Sequence, residues 1–125
     1  MTVSAIVCAY NEARLLPACL YSLLAQTRPP DEILVVDNAS TDGTAAAARA
    51  VPHVRVIEEP RKGLVIARET ARREAAGDLL AYIDADCRAP CSGSNCEKSW
   101  ESIAQALRAN VDIALMLYRN GSWAA

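Results

Sequence analysis

The sequence predicts an α/β fold, Rossmann-like, with a mainly parallel sheet and helices on both faces. Three observations lead there. Four short apolar runs rich in β-branched residues, near 3–9, 32–37, 54–58 and 79–84, read as buried strands. Segments of helical spacing separate them, and the connections are long enough for right-handed crossovers between parallel neighbours. Three runs end in polar or acidic residues: Tyr10-Asn11-Glu12, Asp37-Asn38 and Asp84-Ala85-Asp86. All three should open on one edge, because ligands of open α/β sheets bind outside the carboxyl ends of the strands.

The elements follow in order. Val3 to Ala9 is short, apolar and β-branched, as a buried strand should be. Leu16, Leu20, Leu23 and Leu24 then recur at helical spacing. Pro17 is tolerated only near a helix start, so the helix begins around Leu15 or Leu16, and Arg28-Pro29-Pro30 ends it. Glu32 to Val36 is the second strand. Ser40-Thr41-Asp42-Gly43-Thr44 has loop and helix-cap chemistry before the Ala-rich run at 45–50. Val54 to Ile57 is the third strand and Pro60-Arg61-Lys62-Gly63 a turn. Leu64 to Ala76 reads as helix, with Gly77 at a left-handed C-terminal cap. Leu79 to Ile83 is the fourth strand. After Pro90 the composition turns small and polar. Ser94 and Glu97 have capping-box spacing, Trp100, Ile103, Ala104 and Leu107 repeat as a helix face, and Val111 to Tyr118 is a candidate fifth strand.

Composition narrows the function. The chain has 125 residues, one small domain, and 52% of them are hydrophobic, which argues against disorder. With no Phe, the core must be built from Ala, Leu, Ile and Val. A net charge of −2 without a basic tract argues against nucleic acid or an anionic membrane as the main partner. No apolar run approaches the roughly 20 residues of a membrane helix. Met1-Thr2-Val3 leads straight into a strand without a basic leader, so a cytoplasmic location is expected. Cys8 and Cys19 fall at apolar positions and read as buried thiols. Cys87, Cys91 and Cys96, spaced C-x3-C-x4-C with His53 the only histidine, do not have zinc-site spacing.

Two carboxylates one residue apart, Asp84 and Asp86, set hard oxygen ligands at a sheet rim. That suits a hydrated Mg²⁺ or Mn²⁺ carrying a diphosphate; the plain competitor is a solvated turn. Neither G-x-x-x-x-G-K-[ST] nor G-x-G-x-x-G occurs, which counts against a P-loop or dinucleotide fold.

Four stretches, in this order, closely resemble family 2 glycosyltransferases of the GT-A fold: AIVCAYNE at 5–12, VVDNASTDGT at 35–44, GLVIAR at 63–68 and YIDAD at 82–86. The resemblance covers residues 3 to about 90. It implies a nucleotide-sugar-binding domain at 1–90, followed by a divergent tail at 91–125. It also implies a nucleotide-sugar donor, most naturally a UDP-sugar. Tyr10 would pack near the base and Glu12 would help hold the nucleoside. Asp37 would accept a hydrogen bond from the base, Arg68 would face the nucleotide or diphosphate, and Asp84 would lie near the ribose. Asp86 would be the direct metal ligand, with Mn²⁺ or Mg²⁺ as cofactor, and Lys62 would approach the phosphates. Family members usually continue past the D-x-D strand into an acceptor-binding half with a later acidic base. The expectation is therefore a GT-A fold that is incomplete, a truncated or divergent chain with no assigned catalytic residue.

Each residue has a structural competitor. Tyr10 can cap the sheet edge, Glu12 can be a first-turn helix charge, and Asp37 and Asp42 can be turn formers. Arg68 can pair with Glu69 on a solvated helix. Taken singly, Glu12 and Asp42 fit the structural role better. Asn38, Ser40, Thr41 and Gly43 read as loop-shaping. Three functions stay open at this point: an inverting, metal-dependent glycosyltransferase, a non-catalytic nucleotide-sugar-binding remnant, and a phosphotransferase using Asp84 and Asp86. The last lacks the downstream lysine and acidic context it would need.

Overall fold

The computed structural model describes residues 2–26, 29–86, 115–119 and 122–123. Chain order is β1 (Val3–Ala9), α1 (Leu16–Leu24), β2 (Glu32–Asp37), α2 (Thr44–Arg49), β3 (Val54–Glu58), α3 (Leu64–Glu74), β4 (Leu79–Asp84), β5 (Leu115–Arg119) and β6 (Ser122–Trp123). The sheet has six strands in the order β3-β2-β1-β4-β5-β6. The first four in that order run parallel. β5 joins β4 antiparallel and β6 joins β5 antiparallel. The fold is the Rossmann-like α/β arrangement that the alternation of elements predicts, and Leu115–Arg119 extends the same sheet.

Burial on both faces explains why the central strands are almost continuously apolar. Alternate residues of β1 point to opposite faces. Val3, Ala5, Val7 and Ala9 pack with Leu16, Cys19, Leu20 and Leu23 of α1 and Ala48 of α2. Ile6, on the other face, packs with Leu34, Val36, Leu80, Tyr82 and the small residues Ala67 and Ala71 of α3. Alanines at those two positions let α3 lie close against the sheet.

Three boundaries differ from the sequence reading. α1 stops at Leu24, before Arg28, because Gln26 turns back: it is buried and its Nε2 donates to the Ser22 carbonyl at 3.0 Å. α3 stops at Glu74, because Ala75 is already extended, with ψ 135°. Gly77 is therefore no left-handed cap; Gly63, at φ 150°, is the one glycine with positive φ among the described residues. What Gly77 serves is close approach. Its N–H donates to Ser4 Oγ at 2.9 Å, and a Cβ there would lie 2.7 Å from the Ser4 backbone nitrogen. The fifth strand begins at Leu115 within the described residues. Cys87, Cys91, Cys96 and the helix face Trp100 to Leu107 lie outside them.

Candidate functional site

The site forms where β1, β2 and β4 end. β1 lies between the other two, with Ala9 opposite Asp37 and Cys8 opposite Asp84. Asp37 and Asp84 therefore flank the end of β1, and Tyr10 follows it directly. Asp37 is buried and its Oδ1 accepts the Ser40 N–H at 3.3 Å. Asp84 and Asp86 are exposed, one at the end of β4 and one in the turn after it. Tyr10 is also exposed.

Two loops that carry these residues brace each other. Asn11, at φ 51°, accepts the Thr41 N–H on Oδ1 at 2.8 Å, and its own N–H donates to Ser40 Oγ at 3.0 Å. The Glu12 N–H donates to Thr44 Oγ1 at 3.1 Å, and the Ala13 N–H to Asp42 Oδ2 at 3.4 Å. Asp42 Oδ1 takes the Thr44 N–H at 3.0 Å, and the Thr44 hydroxyl as well. Those bonds, the Thr44 hydroxyl first, hold the Asp42 carboxyl below its ordinary range. Asp42, Ser40 and Thr41 thus shape the loop. Glu12 contributes its backbone to α1, its carbonyl accepting the Leu16 N–H at 2.9 Å.

Arg68 is half-buried on α3, which also carries Arg72 and Arg73. Those two pair with Glu69. Among the described residues Arg68 pairs with no carboxylate. Both its charge and that of Asp84 are felt at Cys8. Burial pushes the Cys8 thiol up to about 11, with Arg68 pulling against the shift and Asp84 adding to it. Burial thus keeps the Cys8 thiol protonated at neutral pH.

Three features of this edge have no local sequence signal. Buried Asn38 donates from Nδ2 to the carbonyls of Glu59 (3.3 Å) and Arg61 (2.8 Å), and its Oδ1 accepts the Gly63 N–H (2.9 Å). Buried Glu59 accepts hydrogen bonds on Oε1 from Arg61 Nη2 (2.7 Å) and Thr70 Oγ1 (2.8 Å). Together they pin residues 59–63 between β2 and α3. Lys62 Nζ donates to the Tyr10 hydroxyl at 2.9 Å and lies 4.3 Å from the ring centroid.

The carboxylates suit a hard cation in part. Among the described residues no three His, Cys, Asp or Glu side chains converge on one point. Asp84 and Asp86 offer one or two carboxylates at an exposed rim, the donor set of an ion that keeps waters and takes its other ligands from substrate phosphates.

A parallel sheet with helices on both faces and polar residues gathered at its C-terminal edge defines a Rossmann-like α/β domain with a ligand-binding edge. The chain belongs to glycosyl transferase family 2: the model of that family, described as "Glycosyl transferase family 2", matches residues 4–119. It is 40% identical to glycosyltransferase AglE of Haloferax volcanii over 92 residues, 68% of this chain and 30% of AglE. The mannosyltransferase PcManGT of Pyrobaculum calidifontis, solved in complex with GDP-Man and Mn²⁺, is similar at a TM-score of 0.66 and 39% identity. That match covers 71% of this chain and 28% of the other. S. aureus TarS 1-349, solved with UDP-GlcNAc, is similar at a TM-score of 0.64 and 29% identity, over 69% of this chain and 27% of that one. This chain spans less than a third of the length of each of these relatives. No helix among the described residues is long and apolar enough to cross a membrane.

Proposed function

We propose that this chain carries the donor-binding part of an inverting, metal-dependent glycosyltransferase and that its donor is a UDP-sugar. The observation that carries the reading is the position of Asp37 and Asp84 on either flank of β1. That spacing suits one nucleotide lying across the strand ends. Tyr10 packs near the base, Asp37 accepts a hydrogen bond from a base N–H, and Glu12 helps hold the nucleoside. Asp84 lies near the ribose. Arg68, without a carboxylate partner among the described residues, offers its guanidinium to the nucleotide or diphosphate, for which a planar fork of donors is well matched. Asp86 is the direct ligand of Mn²⁺ or Mg²⁺, with Asp84 beside it. Such an ion, when bound, neutralises charge developing on a leaving diphosphate. Residues 1–90 make up this donor unit. Cys8 and Cys19, neither of them in a disulfide, fit a reducing, cytoplasmic setting.

The two nucleotide-bound relatives carry different bases, GDP in one and UDP in the other, so the test includes both. Calorimetric titration of the chain with UDP and with GDP, with and without Mn²⁺, should give metal-enhanced binding of UDP. Asp86→Ala should remove most of the metal dependence. Asp37→Ala should weaken nucleotide binding even in the absence of metal. Equal affinities in the wild type and both variants would contradict the assignment.

A further inference from the structure

We propose that Lys62 is a donor-binding residue that exchanges partners: its ammonium covers the Tyr10 ring in the free protein and moves to a donor phosphate when the nucleobase takes its place. The inference rests on the assignment of Tyr10 to the base.

Lys62 Nζ sits 4.3 Å from the Tyr10 ring centroid and 2.9 Å from its hydroxyl oxygen. An ammonium at that distance is attracted by the ring quadrupole and stands over the hydroxyl end of the ring, in the way of a stacked base. Stacking there requires the ammonium to leave. The neighbouring cation is already satisfied, since Arg61 is bound to the buried carboxylate of Glu59 at 2.7 Å. Among the described residues Lys62 pairs with no carboxylate, so its charge is free for an anionic ligand.

The backbone is built for such a swing. Asn38, adjacent to Asp37, holds the chain on both sides of Lys62, by the Arg61 carbonyl at 2.8 Å and the Gly63 N–H at 2.9 Å. The root of the side chain is therefore held while its flexible four-carbon stem stays exposed. The anchor carrying Lys62 is thus tied to the strand end that carries Asp37, while the stem can swing without backbone movement.

Exchange predicts opposite effects on two ligands that differ only in phosphate. A nucleoside must displace Lys62 and gains nothing back, whereas a nucleoside diphosphate recovers the ammonium as a phosphate contact. Wild type and Lys62→Met should be titrated with uridine and UDP, and with guanosine and GDP, Mn²⁺ present throughout. Chemical-shift titration reads the weak nucleoside affinities. Lys62→Met should bind the nucleoside about 2–5-fold more tightly and the diphosphate about five-fold or more weakly. Lys62→Arg, which keeps a phosphate-binding cation, should retain most of the diphosphate affinity. A purely structural role would shift both ligands in the same direction. Shifts of the same sign, or no shift in either ligand, would overturn the exchange while leaving the donor site standing. Failure of the wild type to bind either diphosphate would overturn both.

Discussion

The Asn38 carboxamide oxygen accepts the Gly63 N–H at 2.9 Å, tying the residue after β2 to the start of α3. A carboxylate at this position could still accept that bond, but it could not donate to the Glu59 and Arg61 carbonyls. Asn38→Asp should therefore leave two carbonyls facing an anion. Each buried group stripped of its partner costs about 1–3 kcal/mol, so a loss of about 2 kcal/mol or more is expected in urea unfolding. Asn38→Ala should fall in the same range. Loss of less than about 0.5 kcal/mol, the size of an ordinary surface change, would show that residues 59–63 are held by other means.

Two glycines should respond with opposite sign. A Cβ on Gly77 would stand 2.6 Å from Ser4 Oγ and 2.7 Å from the Ser4 backbone nitrogen. Backbone in the central strand cannot give way cheaply, so Gly77→Ala should cost about 1–3 kcal/mol. A Cβ on Gly43 meets nothing within 4 Å, and φ there is an ordinary −83°. Gly43→Ala should stabilise by about 0.4–1 kcal/mol, through a less flexible unfolded chain. Denaturation midpoints of the two variants measure both effects.

Glu59 makes stability depend on pH in the acid range. Hydrogen bonds from Arg61, then from Thr70, hold its carboxyl down to about 2, against 4.5 without partners. A folded pKa below the unfolded one gives stabilisation that is fully present above the unfolded pKa. It is lost as pH falls through the folded pKa. The wild type should therefore exceed Glu59→Gln in Tm at neutral pH, with the gap narrowing from about pH 4.5 downwards and closing near pH 2. Asp42, Asp78 and Glu69 are also held low, but they are present in both proteins, so the difference isolates Glu59. A gap that is constant from pH 7 to pH 3 would refute the coupling.

Ala39 stands at φ 60° immediately after Asn38. The left-handed region costs a Cβ-bearing residue about 1–2 kcal/mol, whereas glycine loses about 0.5–1 kcal/mol in backbone entropy. The first term is the larger, so Ala39→Gly should raise stability by up to about 1 kcal/mol. Ala39→Val, with a branched side chain at positive φ, should lower it. A destabilised Ala39→Gly protein would mean that the Ala39 methyl contributes packing that outweighs its strain.

Much of the fold was legible because local pattern carries it. The apolar run at 3–9 coincides with β1, Pro17 falls in the first turn of α1, and Asp37 and Asp84 end their strands as the runs ending in acids suggest. Periodicity reports burial, and these strands are buried on both faces. Gly77 misled for a related reason: a glycine after a helical pattern is most simply a cap, and only the proximity of Ser4, 73 residues away in the chain, gives it another role.

The sequence by itself determined the alternation of strands and helices and the residue types at each strand end, because these follow from spacing within a few residues. The tertiary structure decided that β1 runs between β2 and β4, and so that Asp37 and Asp84 share one edge. It also decided that Asn38 holds residues 59–63, that Glu59 is buried against Arg61 and Thr70, and that Lys62 lies on Tyr10. Most of these contacts join residues far apart in the chain. Even the two-residue step from Glu59 to Arg61 takes its burial from elements outside it. No window of sequence holds both partners and the surroundings that make a hydrogen bond worth forming, so only packing of the elements against one another could select them.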